Sequence, residues 1–98
     1  MIIYNAEING ELKTVVTEGG KIASVEENRK NGDINAEGCR LIPGLIDVHT
    51  HGCIGMDTMD ADFEPMCRFY AEHGTTSFLP TTMTMGYDSL LKVTSAKT

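Results

Sequence analysis

The chain has 98 residues and a formal charge of −6, from eight Lys and Arg against fourteen Asp and Glu. This length is room for one small domain or for part of a larger one. The composition is that of a globular α and β protein and excludes collagen-like, coiled-coil and mucin-like chains. No basic run is longer than Arg29-Lys30, so no positive stripe can be drawn for nucleic-acid phosphates.

The amino terminus and the cysteines indicate the cellular compartment. Met1–Asn5 has neither the basic region nor the apolar core of a signal peptide, and no apolar run approaches the about 20 residues of a membrane span. The three cysteines, Cys39, Cys53 and Cys67, are an odd number without close pairs, which argues against a disulfide scaffold. We expect a cytoplasmic protein with no membrane or nucleic-acid partner.

The first part of the chain is predicted to form short β-strands. Asn9-Gly10 suits a type I′ turn because both residues tolerate positive φ, and Gly19-Gly20 marks a second hairpin. These dipeptides bound the β-rich run Glu11–Thr17, with further strand candidates at 6–8 and 21–26. Strands this short require a sheet with a partner layer.

From Leu45 onward, strands and helices alternate. Leu45–Val48 is predicted as a buried strand and Thr75–Leu79 as the next strand, with helices over Asp62–His73 and Tyr87–Lys97. This alternation indicates parallel strands joined by helical crossovers. A (β/α)8 barrel needs eight such units and typically about 250 residues, so we expect a truncated enzyme.

The first predicted helix has an apolar face and recognisable ends. Pro65 falls in its first turn and Gly74 just past its end, as is typical of helices. Its N-cap is expected among Asp60, Asp62 and Glu64. Four residues share one face at helical spacing: Phe63, Met66, Cys67 and Tyr70.

The most informative pattern is His49-Thr50-His51 at the end of the Leu45–Val48 strand. Side chains alternate along a strand, so Asp47, His49 and His51 point to one side and the two imidazoles can reach one metal ion. Neutral imidazole suits Zn²⁺ and Fe²⁺, and a catalytic site adds further ligands and an open position. Two exposed histidines beside a loop are also common, so this spacing leaves both interpretations open.

Other candidates have simpler explanations. Asp47 either orients a histidine or, as we favour, is satisfied by main-chain amides. Cys53 and Cys67 fit loop or core packing better than metal ligation. His73 suits the negative end of the helix dipole, and Thr81-Thr82 either face the site or cap the next helix.

Three blocks of sequence resemble a known family. Residues 43–52, PGLIDVHTHG, look like the opening signature of the amidohydrolase superfamily. Residues 55–60, GMDTMD, and 74–84, GTTSFLPTTMT, narrow the resemblance to the N-acetylglucosamine-6-phosphate deacetylases. The hairpin at 18–22 also suits the small β-sandwich that precedes the barrel in these enzymes.

The resemblance implies a fold and a reaction. Residues 1–44 would be a portion of the amino-terminal β-sandwich, and residues 45–98 the start of a metal-dependent (β/α)8 barrel. Such enzymes hydrolyse N-acetylglucosamine 6-phosphate to glucosamine 6-phosphate and acetate, and full-length members are usually homodimers. By resemblance His49 and His51 are metal ligands, with Zn or Fe as the ion. The remaining ligands, the catalytic aspartate and the phosphate-binding residues of the family cannot be placed within this chain.

The resemblance also leaves three hypotheses to compare. The first is the amino-terminal fragment of such a deacetylase, itself inactive and self-associating through its open strand edges. The second is another amidohydrolase that acts on a cyclic amide or a different N-acyl sugar. The third is a binding or assembly module without catalysis.

Overall fold

The computed structural model describes residues 1–96, which form two compact units, one spanning Met1–Pro43 and one that begins at Gly44. The first unit contains four strands: β1 (Ile2–Ile8), β2 (Glu11–Glu18), β3 (Lys21–Glu27) and β4 (Ile34–Asn35). The second contains β5 (Leu45–Thr50), β6 (Gly52–Cys53), β7 (Met56–Asp57), a 3₁₀ turn (Thr58–Asp60), α1 (Glu64–Glu72), β8 (Thr75–Pro80) and α2 (Tyr87–Thr94). The chain is therefore a mixed, strand-rich α/β protein, as predicted.

The first unit is one sheet with strand order β3-β2-β1-β4. β1, β2 and β3 form antiparallel hairpins, and β4 lies parallel to β1. Both predicted hairpins are confirmed. Asn9 and Gly10 have φ of 51° and 87°, and Gly19 and Gly20 have φ of 56° and 76°, the positive values that a type I′ turn requires.

β1 is longer than the predicted strand at 6–8, because it continues across a bulge at Asn5. Asn5 interrupts the register with a φ of 54°, and its main-chain N–H donates to Asn28 Oδ1 at 2.8 Å. Asn28 Nδ2 donates back to Asn5 Oδ1 at 2.7 Å, and the fully buried Thr14 donates its hydroxyl to Asn28 Oδ1 at 3.2 Å. This network continues the strand from Ile2 through Ile8.

In the second unit β5 and β8 are parallel neighbours, and α1 lies between them in sequence. A parallel pair requires such a crossover. The core consists of Phe63, which directly precedes α1, Met66 from α1 and Val93 from α2, all at most 5% exposed. Cys67 and Tyr70 pack against this cluster, so the predicted apolar face of α1 is confirmed.

The predicted N-cap of α1 is wrong. Phe63 occupies the N-cap without a side-chain hydrogen bond. Asp60 instead pairs with Asp57 in a capping box around the 3₁₀ turn, where Asp57 accepts from the Met59 N–H at 2.8 Å. Asp57 and Asp60 therefore cap the separate 3₁₀ turn that precedes α1 and do not cap α1 itself.

The other predicted boundaries of the second unit hold with small shifts. Pro65 lies in the first turn of α1, and Gly74, with φ of +87°, follows its end. α2 ends at Thr94 with Ser95 as its C-cap, so the helix is shorter than predicted, and of its predicted residues only Lys97 lies outside the described part of the chain.

The predicted burial of β5 is wrong, although the strand itself is confirmed. Leu45, Ile46 and Val48 are 58%, 69% and 68% exposed, whereas Thr50 at the end of the strand is buried. Within residues 1–96 β5 pairs only with β8, and its apolar side chains do not pack against the core cluster of Phe63, Met66 and Val93. Neither helix of the described chain is long and apolar enough to cross a membrane.

Candidate metal-binding site

The two histidines converge where β5 ends. His49 is the fifth residue of the strand, and His51 lies in the bend that follows it. Their Nε2 atoms are 3.3 Å apart, and the rings are nearly perpendicular, with centroids 5.0 Å apart. Both residues are exposed. Two nitrogen donors therefore share one accessible point in front of the strand.

The ring of His51 is oriented by the main chain that follows β8. His51 Nδ1 lies 2.9 Å from the carbonyl oxygen of Thr81. A carbonyl can only accept, so Nδ1 carries a proton, and in the neutral imidazole Nε2 then has a free lone pair directed toward His49. Imidazoles that bind metals usually show this arrangement, with the second nitrogen donating to a carbonyl or carboxylate.

The spacing of the pair fits a single ion. Two imidazole nitrogens each about 2.0–2.1 Å from one tetrahedral Zn²⁺ lie about 3.3–3.4 Å from each other. The observed 3.3 Å between the Nε2 atoms matches that separation. Within residues 1–96 no group of three or more His, Cys, Asp or Glu side chains comes together as a metal site. The pair could supply two ligands, fewer than the three protein ligands of a typical catalytic zinc site.

The residue between the histidines is held by helix α1. Thr50 is 8% exposed, and its Oγ1 is hydrogen-bonded to the Tyr70 hydroxyl at 2.6 Å. The same Oγ1 accepts the Gly52 N–H at 3.2 Å. The Tyr70 ring packs on Phe78 of β8 with centroids 4.7 Å apart. Thr50 thus points inward while its neighbours point out.

Main-chain hydrogen bonds fix the same segment from two further directions. The Thr50 carbonyl accepts the Thr81 N–H at 2.7 Å and the Thr58 hydroxyl at 3.3 Å. The His51 carbonyl accepts the Thr58 N–H at 2.7 Å. Thr58 is fully buried. Consequently, the 3₁₀ turn and the segment after β8 both hold the backbone that carries His51.

The environment of Tyr70 keeps its hydroxyl protonated. The hydrogen bond from Thr50 lowers the pKa of this phenol, but burial, the neighbouring Cys53 and the Asp47 carboxylate together outweigh it. The pKa of Tyr70 therefore lies above the ordinary tyrosine value of 10.0. At neutral pH the Tyr70 hydroxyl remains available as a donor.

The remaining candidates from the sequence are placed in structural roles. Asp47 Oδ1 accepts the main-chain N–H of His49 at 3.0 Å, as favoured above. Cys53 and Cys67 pack against the core cluster. His73 donates from Nδ1 to the Phe69 carbonyl of its own helix at 2.8 Å. Thr81 contributes its main-chain carbonyl to the histidine site rather than its hydroxyl.

Tyr70 and Thr58 lie beside the histidines although the sequence pattern did not predict it. Helical spacing predicts only that Tyr70 lies on the apolar face of α1, where its ring does lie. A signal for its second role was present, because alternation along β5 places Thr50 on the inner side with a hydroxyl that needs a partner. The identity of that partner depends on the tertiary fold.

Comparison with known proteins shows which enzymes this chain is similar to. It is 38% identical over 92 residues to N-acetylglucosamine-6-phosphate deacetylase of Lysinibacillus sphaericus, covering 88% of this chain and 24% of that protein. It is 40% identical over 85 residues to the N-acetylglucosamine-6-phosphate deacetylase of Bacillus subtilis (strain 168), covering 84% and 20%. Imidazolonepropionase of Thermoplasma volcanium is 47% identical over 47 residues, 46% of this chain and 12% of that protein. No family model matches the chain.

These similarities confirm the resemblance drawn from the three sequence blocks. The chain spans only about a fifth to a quarter of the length of the two deacetylases.

Proposed function

We propose that this chain, which is similar to the N-acetylglucosamine-6-phosphate deacetylases over most of its length, supplies part of the metal site of such a hydrolase. The reaction would release acetate from N-acetylglucosamine 6-phosphate and leave glucosamine 6-phosphate. In this proposal residues 1–44 belong to a β-sandwich and residues 45–98 begin a (β/α)8 barrel in the cytoplasm. The observation that supports the proposal most is the 3.3 Å approach of the His49 and His51 Nε2 atoms at the end of β5.

The carboxyl end of a first barrel strand is where an amidohydrolase would need these ligands. A divalent ion bound there, Zn or Fe, would polarise the amide carbonyl and lower the pKa of water toward about 7. His51 already presents an unprotonated Nε2, because Thr81 holds the proton on Nδ1. Ligation by His49 would likewise require the lone pair of its Nε2, so a metal ion and a proton would compete for this atom.

The proposal is tested with the complete natural polypeptide that contains this segment. We expect acetate release from N-acetylglucosamine 6-phosphate that is abolished by a chelator. The double variant His49→Gln, His51→Gln is expected to lose at least about 100-fold in kcat/KM, because even the loss of an outer-shell partner costs 10–100-fold. His73→Gln is the matched control, since His73 bonds only within its own helix in the described structure. A double variant with the kcat/KM of the wild type would contradict the proposal.

The chain ending at Thr98 is expected to show no deacetylation on its own. Two imidazoles would hold an ion weakly, with water or a second molecule completing the coordination. Metal-dependent turnover by the purified 98-residue chain would contradict this expectation.

A second candidate function is hydrolysis of a cyclic amide, which the similarity to imidazolonepropionase supports. Testing the natural polypeptide against an imidazolone as well as the amino-sugar phosphate distinguishes the two. If it turns over neither substrate but binds metal, the non-catalytic binding module replaces both.

We also propose that the isolated chain self-associates. β5 and β8 form a sheet of two strands among the described residues, and Ile46, Val48 and Leu79 on them are 59–69% exposed. Unpaired strands with exposed apolar side chains are prone to pair with another copy. A homogeneous monomer at micromolar concentration in analytical ultracentrifugation would contradict this.

A further inference from the structure

The histidine pair is separated by a single residue, and that residue is the most firmly held part of the site. His49 and His51 are exposed, whereas Thr50 is buried with its side chain and carbonyl both hydrogen-bonded. Because Thr50 is covalently bonded to both histidines, a rotation about its backbone would move both rings. The groups that hold Thr50 therefore set the distance between the two Nε2 atoms.

Tyr70 is the side chain that reaches Thr50 from a different element. Its hydroxyl lies 2.6 Å from Thr50 Oγ1 and 3.4 Å from the Gly52 carbonyl, so it touches the chain on both sides of His51. The Tyr70 ring is fixed by Phe78 and by the core around Met66. Because the ring is fixed, the position of α1 determines where the Tyr70 hydroxyl lies at the end of β5.

The orientation of His51 depends on the same segment. His51 Nδ1 can donate to the Thr81 carbonyl at 2.9 Å only while the backbone at Thr50 keeps its place beside Thr81, whose N–H donates to the Thr50 carbonyl at 2.7 Å. If Thr50 shifts, the ring of His51 loses this acceptor. Imidazole in water favours the proton on Nε2, the atom that must be free to bind an ion.

We infer that Tyr70 is a positioning residue for the histidine pair: its hydroxyl holds Thr50 so that His51 keeps its proton on Nδ1 and directs Nε2 toward His49. The functional meaning of this inference rests on the proposed metal site, whereas the hydrogen bonds that support it do not depend on that proposal. Tyr70 touches neither the ion nor the substrate in this arrangement. This role differs from stabilisation of the fold alone, because removing the Tyr70 hydroxyl is expected to change the tautomer of His51, a residue that Tyr70 does not contact.

The test uses metal-free protein with ¹⁵N-labelled histidines at about pH 8, above the ordinary histidine pKa of about 6.5. Two-bond ¹H–¹⁵N spectra report which ring nitrogen carries the proton. In the wild type we expect His51 in the Nδ1–H form, and in Tyr70→Phe a shift of population toward Nε2–H. Tyr87→Phe is the matched control, because it removes the same hydroxyl from a tyrosine that is 77% exposed.

A second pair of variants keeps the test independent of the tyrosine. Thr50→Val retains the shape of the side chain but removes the hydroxyl, and should reproduce the Tyr70→Phe spectrum. Thr50→Ser retains the hydroxyl and should keep the wild-type tautomer. Circular dichroism of each variant establishes that it is folded before its spectrum is compared.

Zn²⁺ titration of the same proteins separates the inference from the proposed function. We expect Tyr70→Phe and Thr50→Val to bind Zn²⁺ about 10–100-fold more weakly than the wild type, and Tyr87→Phe to bind it equally. If the wild type binds no Zn²⁺, the proposed metal site fails, and the tautomer spectra still decide the role of Tyr70. If folded Tyr70→Phe and Thr50→Val keep the wild-type tautomer of His51, the positioning role is overturned.

Discussion

The substitution Met66→Ala tests whether the small core of the second unit supports the histidine site. Met66 is 0% exposed, belongs to one core cluster with Phe63 and Val93, and lies on α1 one turn before Tyr70. Truncation to alanine removes three buried heavy atoms beyond Cβ. At about 0.8 kcal/mol for each methylene-sized group, the transfer contribution is about 2.4 kcal/mol.

The unfilled cavity increases this cost. Measured Met-to-Ala substitutions in cores fall at about 2–5 kcal/mol, so about 3 kcal/mol is expected here. A domain of this length loses about 4–8 °C in Tm for each kcal/mol. The expected decrease is therefore about 12–24 °C. The change is also expected to weaken protection of α1 and β5 amides in hydrogen exchange, because both depend on the same core.

Met83→Ala is the matched control, since Met83 is 47% exposed. Its expected effect is within about 0.5 kcal/mol of the wild type. The assay is thermal unfolding followed by circular dichroism, combined with hydrogen exchange read by mass spectrometry. A Met66→Ala protein that melts within about 4 °C of the wild type would refute the assignment of Met66 to a closed core.

Three further substitutions test the network in β1, the phenol and the turn after the histidines. Asn28→Ala should cost about 1–3 kcal/mol in urea denaturation, because the bulge N–H of Asn5 and the buried hydroxyl of Thr14 both lose their acceptor. Asn31→Ala, at an exposed position, should cost less than about 0.5 kcal/mol, and equal costs would contradict the role of the network. The raised pKa of Tyr70 means that the folded chain holds the phenol proton more tightly than the unfolded chain, so stability should fall as the pH rises through about 10. In Tyr70→Phe the urea midpoint should decline less steeply at alkaline pH. Parallel declines in the two proteins would show that the phenol is unperturbed. Gly52→Ala should destabilise the chain by about 1–3 kcal/mol more than Gly55→Ala. Both glycines have positive φ, so both substitutions strain the backbone, but a Cβ at Gly52 would also overlap the main-chain oxygen of Met56 in β7. Similar Tm values would contradict this contact.

Local chemistry was sufficient to predict the hairpins and most of the regular elements. Asn9-Gly10 and Gly19-Gly20 determine their turns because their own backbone preferences match the positive φ required. The bulge at Asn5 was missed because it depends on Asn28, which is 23 residues away in sequence. The strand β4 was missed because its two residues pair with Ile3 and Tyr4, about 30 residues earlier in the chain. The burial of β5 was mispredicted because an apolar run does not reveal how many strands will lie beside it.

The candidate site shows the same division between local and distant information. Alternation along a strand predicts that His49 and His51 share a side, and their rings do meet. The groups that orient them lie 20 and 30 residues away, as the Tyr70 hydroxyl and the Thr81 carbonyl. Every residue has a main-chain carbonyl, so no sequence pattern could identify the Thr81 carbonyl as the acceptor for His51.

The most direct measurement of the central claim is a Zn²⁺ titration of the wild-type chain, followed through the ¹⁵N ring signals of all three histidines. The prediction is that the Nε2 signals of His49 and His51 shift together as the ion is added, while the signals of His73 stay unchanged. Loss of the response in His49→Gln would show that both rings are required. A response centred on His73, or no response from either member of the pair, would contradict the proposal that this histidine pair binds the metal.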